Sequence, residues 1–180
     1  IAVNVFDQCG ELLGPFAPNV ALKAPRLTHE QLLAYYDREH RTAIAKEFVL
    51  ASIHNDMLNI RYHNKFYGDP KYASALRSLT ALKSNVKKEE DYDKLLLLEA
   101  HARKIYYECY DLFIRREGFS FGCRSKKPPR NMVNAMISFG NSVMYSLVAT
   151  EIQKTALDVR IGYLHATNTR KNSLNLDIAE

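Results

Sequence analysis

One stretch of this chain constrains its fold more than any other, because it is long and contains neither glycine nor proline. It runs from Thr28 to about His63. Strands rarely exceed about ten residues, so the stretch predicts a helix, and residues 28–31 (THEQ) have the form of a capping box. Apolar residues recur every three or four positions and predict one buried face. We interpret His40, which shares this face, as a hydrogen-bonded core histidine rather than a ligand.

Three further helices follow in the same way. A turn at residues 68–70 precedes a weaker amphipathic helix from Lys71 to about Leu82, and residues 85–91 are expected to form a charged connector. The third helix is predicted from about Glu90 to Arg116, before Gly118 and Gly122 end it. The fourth is predicted from about Arg130 to Thr155. The fold class is therefore mainly α.

The first residues have a different pattern. Residues 1–6 alternate and are β-branched, and two leucines resume the apolar pattern after Gly10, which predicts a β-hairpin. Two strands are marginal in water, so we expect residues 1–24 to be the end of an N-terminal β domain and its linker. Residues 25–180 are then a helical domain, truncated at its C-terminus, and the chain is expected to be a fragment.

Composition narrows the functional classes. The formal net charge of +5 suits a polyanionic partner such as nucleic acid without requiring one. The three cysteines form no C-x-x-C pair, which argues against a zinc cluster or a disulfide framework and favours a reducing cytoplasm. No apolar run approaches the roughly 20 residues that span a bilayer, so we expect no membrane insertion.

Glu99 and His165 are the first candidates for chemistry. Glu99 follows four leucines, so its carboxylate borders an apolar stripe, where a salt bridge, a hydrogen-bond network or a metal must relieve its burial. A pair with an arginine or lysine is the more common outcome. His165 ends the segment IGYLH at residues 161–165, an arrangement typical of nitrogen ligands and general bases but also of structural histidines.

Asp177 and Glu180 stand three residues apart, which places both carboxylates on one face of a helix and invites a cation. The apolar residues of the same segment alternate with period two, however, and would suit a strand. Periodicity alone leaves both possibilities open.

A basic loop, residues 124–130 (RSKKPPR), concentrates positive charge beside a stiff proline pair. Its cations, Arg124, Lys126, Lys127 and Arg130, are candidates for binding DNA phosphates. A solvated connector is nearly as common for such a composition.

Four blocks taken in order resemble a known family, the CRISPR-associated endonuclease and integrase of spacer acquisition. Residues 41–49 (RTAIAKEFV) are similar to its R-x-x-I-A-K-x-F-V, and a leucine-rich approach to the glutamate at 99 is followed by two tyrosines. Residues 124–140 resemble R-x-x-x-P-P-x-D-x-V-N-A-x-x-S-F-G, although Asn131 replaces the usual aspartate. Residues 162–165 and 173–180 resemble G-F-L-H and S-L-x-L-D-L-x-E.

The resemblance implies a site and a mechanism. Glu99, His165 and Glu180 would be catalytic metal ligands, Asp177 an additional acid beside them, and the last segment a helix. An oxygen-rich set without thiolates suits Mg²⁺ or Mn²⁺. The 3′-hydroxyl of a captured spacer precursor would attack the end of a CRISPR repeat, and the expected partners are these DNAs, a second copy in a homodimer and a small CRISPR-associated protein. The alternatives are an integrase of self-synthesising transposons and a non-catalytic DNA-binding scaffold.

Overall fold

The computed structural model describes residues 3–8, 12–16, 24–165 and 172–179. Within these ranges the protein is mainly helical, which confirms the predicted fold class. The elements in chain order are β1 (Val3–Phe6), β2 (Leu12–Phe16), α1 (Pro25–Tyr36), α2 (Arg38–Tyr67), α3 (Pro70–Lys88), α4 (Tyr92–Glu108), α5 (Tyr110–Phe113), α6 (Met132–Gln153) and α7 (Leu174–Ala179).

The opening strands form the predicted hairpin. β1 and β2 pair antiparallel, with Val3 opposite Phe16 and Phe6 opposite Leu12. Val3 and Leu13 are 54% and 67% exposed, so this two-stranded sheet has little core of its own. Residues 17–23 lie outside the described ranges, and the predicted domain boundary between residues 24 and 25 stays a prediction.

The long helical stretch is divided, and the prediction of one helix starting from a capping box at Thr28 is wrong. α1 begins earlier, with Pro25 in its first turn, where the missing N–H costs nothing. Asp37 interrupts the stretch in an extended conformation, and its Oδ1 accepts hydrogen bonds from the backbone N–H of Glu39 and His40 at 2.9 and 3.1 Å. The aspartate therefore caps α2.

His40 is not the core residue that the apolar spacing predicted. Its side chain is 73% exposed, and its Nδ1 lies 2.8 Å from Oδ2 of Asp37. The buried positions in this part of α2 are Thr42, Ala45 and Val49, which lie on a different side of the helix from residue 40. The pair with Asp37 raises the pKa of His40 above its ordinary value.

Residues 46–136 form one compact unit. Its α3 and α4 contact each other, and α3 continues to Lys88 through most of the predicted connector. The predicted third helix is shorter than expected, since α4 ends at Glu108 and the four-residue α5 follows. Fully buried side chains come from all the long helices of this unit. They include Val49, Ile53, Ile60, Tyr72, Leu79, Val86, Leu95 and Val133.

Residues 1–45 and 137–180 form the other unit. Its core gathers the end of α6, the segment 161–164 and the start of α7. α7 settles the conflict in the last segment, because Leu174–Ala179 is helical, as the resemblance implied. Glu180 lies outside the described residues.

α6 lies within two residues of its predicted bounds. Among the described residues it is the one helix long and apolar enough to cross a membrane, by length and composition only. Of its most apolar window, 22% is buried, and three of the buried side chains of α6 are polar, namely Asn134, Ser146 and Thr150.

Candidate functional site

Asp177 is more buried than Glu99, the other described carboxylate with a predicted role. Its side chain is 0% exposed. Oδ2 accepts hydrogen bonds from the backbone N–H of Tyr163 at 2.5 Å and of Leu164 at 3.0 Å, and Oδ1 accepts one from the N–H of His165 at 2.9 Å. A buried carboxylate needs such donors, because an unpaired charge would be too costly. We call Asp177 together with residues 162–165 the aspartate cradle.

The cradle also fixes the ring of His165. Nδ1 of the imidazole lies 2.9 Å from Oδ1 of Asp177. An ionised carboxylate only accepts hydrogen bonds, so Nδ1 carries the proton and the ring's lone pair belongs to Nε2. A carboxylate behind a metal-binding histidine acts in this way in many metal sites. The geometry thus suits His165 either as a nitrogen ligand or as a base.

Gly162 is required by the close approach of two segments. A Cβ at this position would lie 2.8 Å from the backbone carbon of Ser173 and 2.9 Å from Oδ2 of Asp177. The N–H of Gly162 donates to Oγ of Ser173 at 2.9 Å, and that hydroxyl donates to the carbonyl of Arg160 at 2.7 Å. Because Gly162 has no side chain, Asp177 can approach this segment closely enough to orient His165.

Arg41 attaches the cradle to α2. Its Nε donates to the backbone carbonyl of Tyr163 at 3.0 Å, and its guanidinium carbon lies 4.3 Å from the ring centroid of Tyr35. The contact gives Arg41 a positioning role. From the sequence, Arg41 was known only as the first residue of a block, residues 41–49, that is similar to the family.

Glu99 lies on α4 and is paired with an arginine on the same helix. Nε of Arg103 donates to Oε1 of Glu99 at 2.7 Å, and the side chains of Arg103 and Glu99 are 27% and 17% exposed. The ion pair expected at this position is present. It links residues one helical turn apart, so the spacing of the two residues in the sequence was a sufficient signal for it.

An open groove of about 390 Å³ adjoins this pair. Its lining includes Glu99, Arg103 and Lys104 from α4, the aromatic ring of Phe121, and Arg124 from the basic loop. A predicted ligand and a predicted DNA-binding residue thus share one groove. Its charged lining consists of the cations Arg103, Lys104 and Arg124 and the carboxylates Glu99 and Glu108, so the cations exceed the carboxylates by one.

Asp56 on α2 belongs to the same charge cluster and was missed by sequence reasoning. Burial raises the pKa of Asp56 to about 7, the charge of Glu99 contributes to the rise, and Arg103 opposes both effects. Nothing in the local sequence marks Asp56, because its burial depends on the helices packed around it.

The basic loop is held by two asparagines. The amide of the fully buried Asn134 accepts from the N–H of Ser125 at 2.9 Å and donates to the carbonyl of Cys123 at 2.8 Å. Asn131 caps α6 by accepting from the N–H of Asn134 at 2.8 Å, while its own NH₂ donates to the carbonyl of Phe121 at 2.9 Å. An aspartate could cap the helix but could not make that second bond.

The four predicted DNA-binding cations differ in exposure. Lys126, Lys127 and Arg130 are exposed on the loop. Arg124 is half-buried and donates to Oδ1 of Asn134 at 3.0 Å and to the carbonyl of Ser125 at 2.6 Å. Arg124 therefore helps to shape the loop, whereas the side chains of the other three are exposed.

The described residues bring together part of the predicted site. Asp177 and His165 are in contact, and Glu99 and Arg124 line one groove. No group of three potential ligands that could hold a metal ion occurs in ranges 3–8, 12–16, 24–165 and 172–179. The third predicted ligand, Glu180, is outside those ranges, so the three-ligand set stays a prediction.

Comparison with known proteins gives consistent matches. The family model described as "CRISPR associated protein Cas1" matches residues 1–180. A relative named CRISPR-associated endonuclease Cas1 2, from Thermodesulfovibrio yellowstonii, is 36% identical over 181 residues, which cover 100% of this chain and 54% of that protein. The chain thus spans about half the length of this curated relative.

Solved structures with the same fold include a Cas1 protein from Thermotoga maritima. Its TM-score is 0.81 at 36% sequence identity, with 99% of this chain and 55% of that chain covered. A second structure, named "Cas6-RT-Cas1--Cas2 complex", has a TM-score of 0.79 at 25% identity, over 99% of this chain and 19% of that chain.

Proposed function

The chain belongs to the CRISPR-associated protein Cas1 family, and on that premise we propose that it forms the catalytic part of a divalent-metal-dependent DNA endonuclease and integrase. The enzyme inserts captured spacer DNA into a CRISPR array in the cytoplasm. The observation that carries this proposal is the contact between Asp177 and Nδ1 of His165, because it prepares the imidazole for the role predicted for it.

The donor set fits Mg²⁺ or Mn²⁺. In this proposal Glu99 would supply a carboxylate, His165 an oriented imidazole and Glu180 the third ligand, and none of them is a thiolate. When bound, such an ion polarises a phosphodiester and stabilises the charge that develops during in-line attack. Asp177 is a positioning residue here, since its oxygens are already engaged by three backbone N–H groups and the histidine ring.

The groove beside Glu99 supports a DNA substrate. Arg103 and Lys104 line it, and the exposed cations of the basic loop follow Arg124 in sequence. These side chains attract and orient phosphates without reading bases. While Arg103 is paired with Glu99, it also lowers the repulsion that the carboxylate would exert on a phosphate.

We further propose that the enzyme works as a homodimer with a small CRISPR-associated protein. One structural neighbour is a complex of Cas6-RT-Cas1 with Cas2, which supports a small partner of this kind. DNA contacts are proposed for the spacer precursor and for the CRISPR repeat.

Strand transfer into a supercoiled plasmid that contains a CRISPR repeat tests this function. Full-length protein, its small partner and Mn²⁺ should join a labelled spacer precursor to the plasmid. Glu99→Ala and His165→Ala should each reduce joining to background while circular dichroism stays unchanged, because each removes one ligand. The matched control is Glu151→Ala, since Glu151 is also a helical glutamate in an ion pair, with Lys154. Wild-type joining by folded Glu99→Ala protein contradicts the assignment.

The basic loop has a separate test. Lys126→Glu combined with Lys127→Glu should weaken binding of duplex DNA and flatten the slope of log affinity against log salt, by about 0.9 for each phosphate that the loop no longer neutralises. Lys87→Glu with Lys88→Glu, at the exposed end of α3, is the matched control. An unchanged slope makes the loop a solvated connector.

A further inference from the structure

The C-terminal half of α2 has a second apolar face whose large side chains are about half or more exposed. Leu58, Tyr62 and Phe66 follow one another at intervals of four residues and are 49%, 62% and 61% exposed. Met57 and Ile60, on the other face of the helix, are 5% and 0% exposed and belong to the core. Burial of the core therefore does not account for the large side chains on the outer face.

The exposed rings are arranged edge to face. The centroids of Tyr62 and Phe66 lie 5.0 Å apart at an interplanar angle of 63°. Tyr67 is 47% exposed, and the guanidinium carbon of Arg115 lies 3.9 Å from its ring centroid. Aromatic faces and a stacked guanidinium are thus available at the surface. We call Tyr62, Phe66, Tyr67 and Arg115 the aromatic surface.

Positive charge accompanies these rings. Arg61 and Lys65 are exposed and stand three residues after Leu58 and Tyr62, so they flank the apolar positions along α2. Residues 58–67 contain no acid, and residues 115–117 contain two arginines and one glutamate. This balance disfavours an apolar or cationic partner and favours a polyanion.

We propose that the aromatic surface binds single-stranded nucleic acid, with bases stacked on Tyr62 and Phe66 and phosphates near Arg61, Lys65 and Arg115. Alternation of exposed rings with cations suits an unpaired strand, because each base offers a face for stacking while its phosphate needs a positive charge. In a duplex the bases are stacked on one another, so only its phosphates could contact this surface, through the cations. The inference rests on the proposed action on DNA and adds a contact surface separate from the basic loop.

Fluorescence anisotropy with labelled oligothymidine and with a blunt duplex of equal length tests the proposal on full-length protein. Tyr62→Ala combined with Phe66→Ala should weaken binding of the single strand by at least about tenfold and leave duplex binding within about twofold, since stacking contributes strongly for each base. Tyr62→Trp with Phe66→Trp should retain single-strand binding. Tyr36→Ala is the matched control, because Tyr36 is 79% exposed on α1.

Each contrary result has a distinct meaning. Equal losses for single strand and duplex, or no loss for either, overturn the stacking surface. A change in oligomeric state on size-exclusion chromatography of the alanine variant, with DNA binding unaltered, assigns the surface to a protein partner and also overturns it. If wild-type protein binds neither DNA, the proposed function itself fails, whereas wild-type binding without an effect of the variants refutes only this inference.

Discussion

The two carboxylates Asp177 and Glu99 were both predicted to act at the site, yet the protein holds them by opposite means. Asp177 is wholly buried and is bound by the backbone N–H groups of a loop more than ten residues away in sequence. Glu99 borders an open groove and forms an ion pair with Arg103, four residues along its own helix. Both arrangements relieve a carboxylate of its desolvation cost.

This difference indicates which of the two carboxylates has its position fixed before a ligand binds. The aspartate cradle has rigid backbone donors, so the ring of His165 is fixed by folding itself. The pair between Glu99 and Arg103 joins two flexible side chains that are 17% and 27% exposed beside an open groove, so each keeps some contact with water. We expect mutations in the cradle to lower stability, and mutations around Glu99 to affect ligand binding more than folding.

The largest effect is expected for Asp177→Ala. The change leaves three backbone N–H groups and the histidine ring without their buried acceptor, which should lower the free energy of unfolding by about 3–5 kcal/mol. Urea denaturation followed by circular dichroism measures it. Asp177→Asn keeps one acceptor oxygen and should recover part of the loss. A decrease below about 1 kcal/mol for alanine would mean that the cradle is not preorganised.

Gly162→Ala should have the next largest effect. The added Cβ meets the backbone of Ser173 and the carboxylate of Asp177 at distances below 3.0 Å, so one segment must move. We expect a loss of about 1–3 kcal/mol in the free energy of unfolding. Gly140→Ala is the control, because a Cβ there has nothing within 4 Å and alanine favours the helix. Equal thermal shifts for the two variants contradict the close approach.

Asp56 lies in the same charge cluster as Glu99, and Asp56→Asn should change how the free energy of unfolding depends on pH. Burial raises the pKa of Asp56 from 3.8 to about 7, so the folded state binds more protons than the unfolded state between these values. Stability therefore falls as pH rises through this window. Asparagine should remove that fall and stabilise the protein above pH 7 by on the order of 1–2 kcal/mol. Denaturation at several pH values in EDTA measures it, and parallel wild-type and variant profiles contradict it.

Arg103→Met should have the smallest effect on folding. Loss of its pair with Glu99 should cost about 1–2 kcal/mol at neutral pH, less than the loss of the wholly buried acceptor Asp177, because both side chains keep some contact with water. The pKa of Asp56 should rise further, since Arg103 lowers it in the wild-type protein. Calorimetric unfolding and the pH profile measure the two effects. A loss comparable to that of Asp177→Ala would remove the contrast between the two carboxylates.

The family and the helical class could be read from the sequence, because helix formation depends on local spacing and because four motifs occur in the family's order. The bounds of α6 also follow from local chemistry. Gly118 and Gly122 have positive φ, but the helices before them already end at Glu108 and Phe113, so the prediction that these glycines end a helix is wrong. The spacing of Glu99 and Arg103 was a sufficient local signal for their ion pair.

Only the tertiary structure determined the features that depend on contacts between segments distant in sequence. His40 faces solvent because the buried side of α2 runs through Ala45, Val49 and Ile53. The break at Asp37 also has no signal in the apolar spacing. Burial of Asp56 requires the helices around it, and the engagement of Asp177 requires a loop that approaches across Gly162. Sequence spacing fixes which side chains share a helix face, whereas desolvation and hydrogen-bond partners are properties of the packed chain.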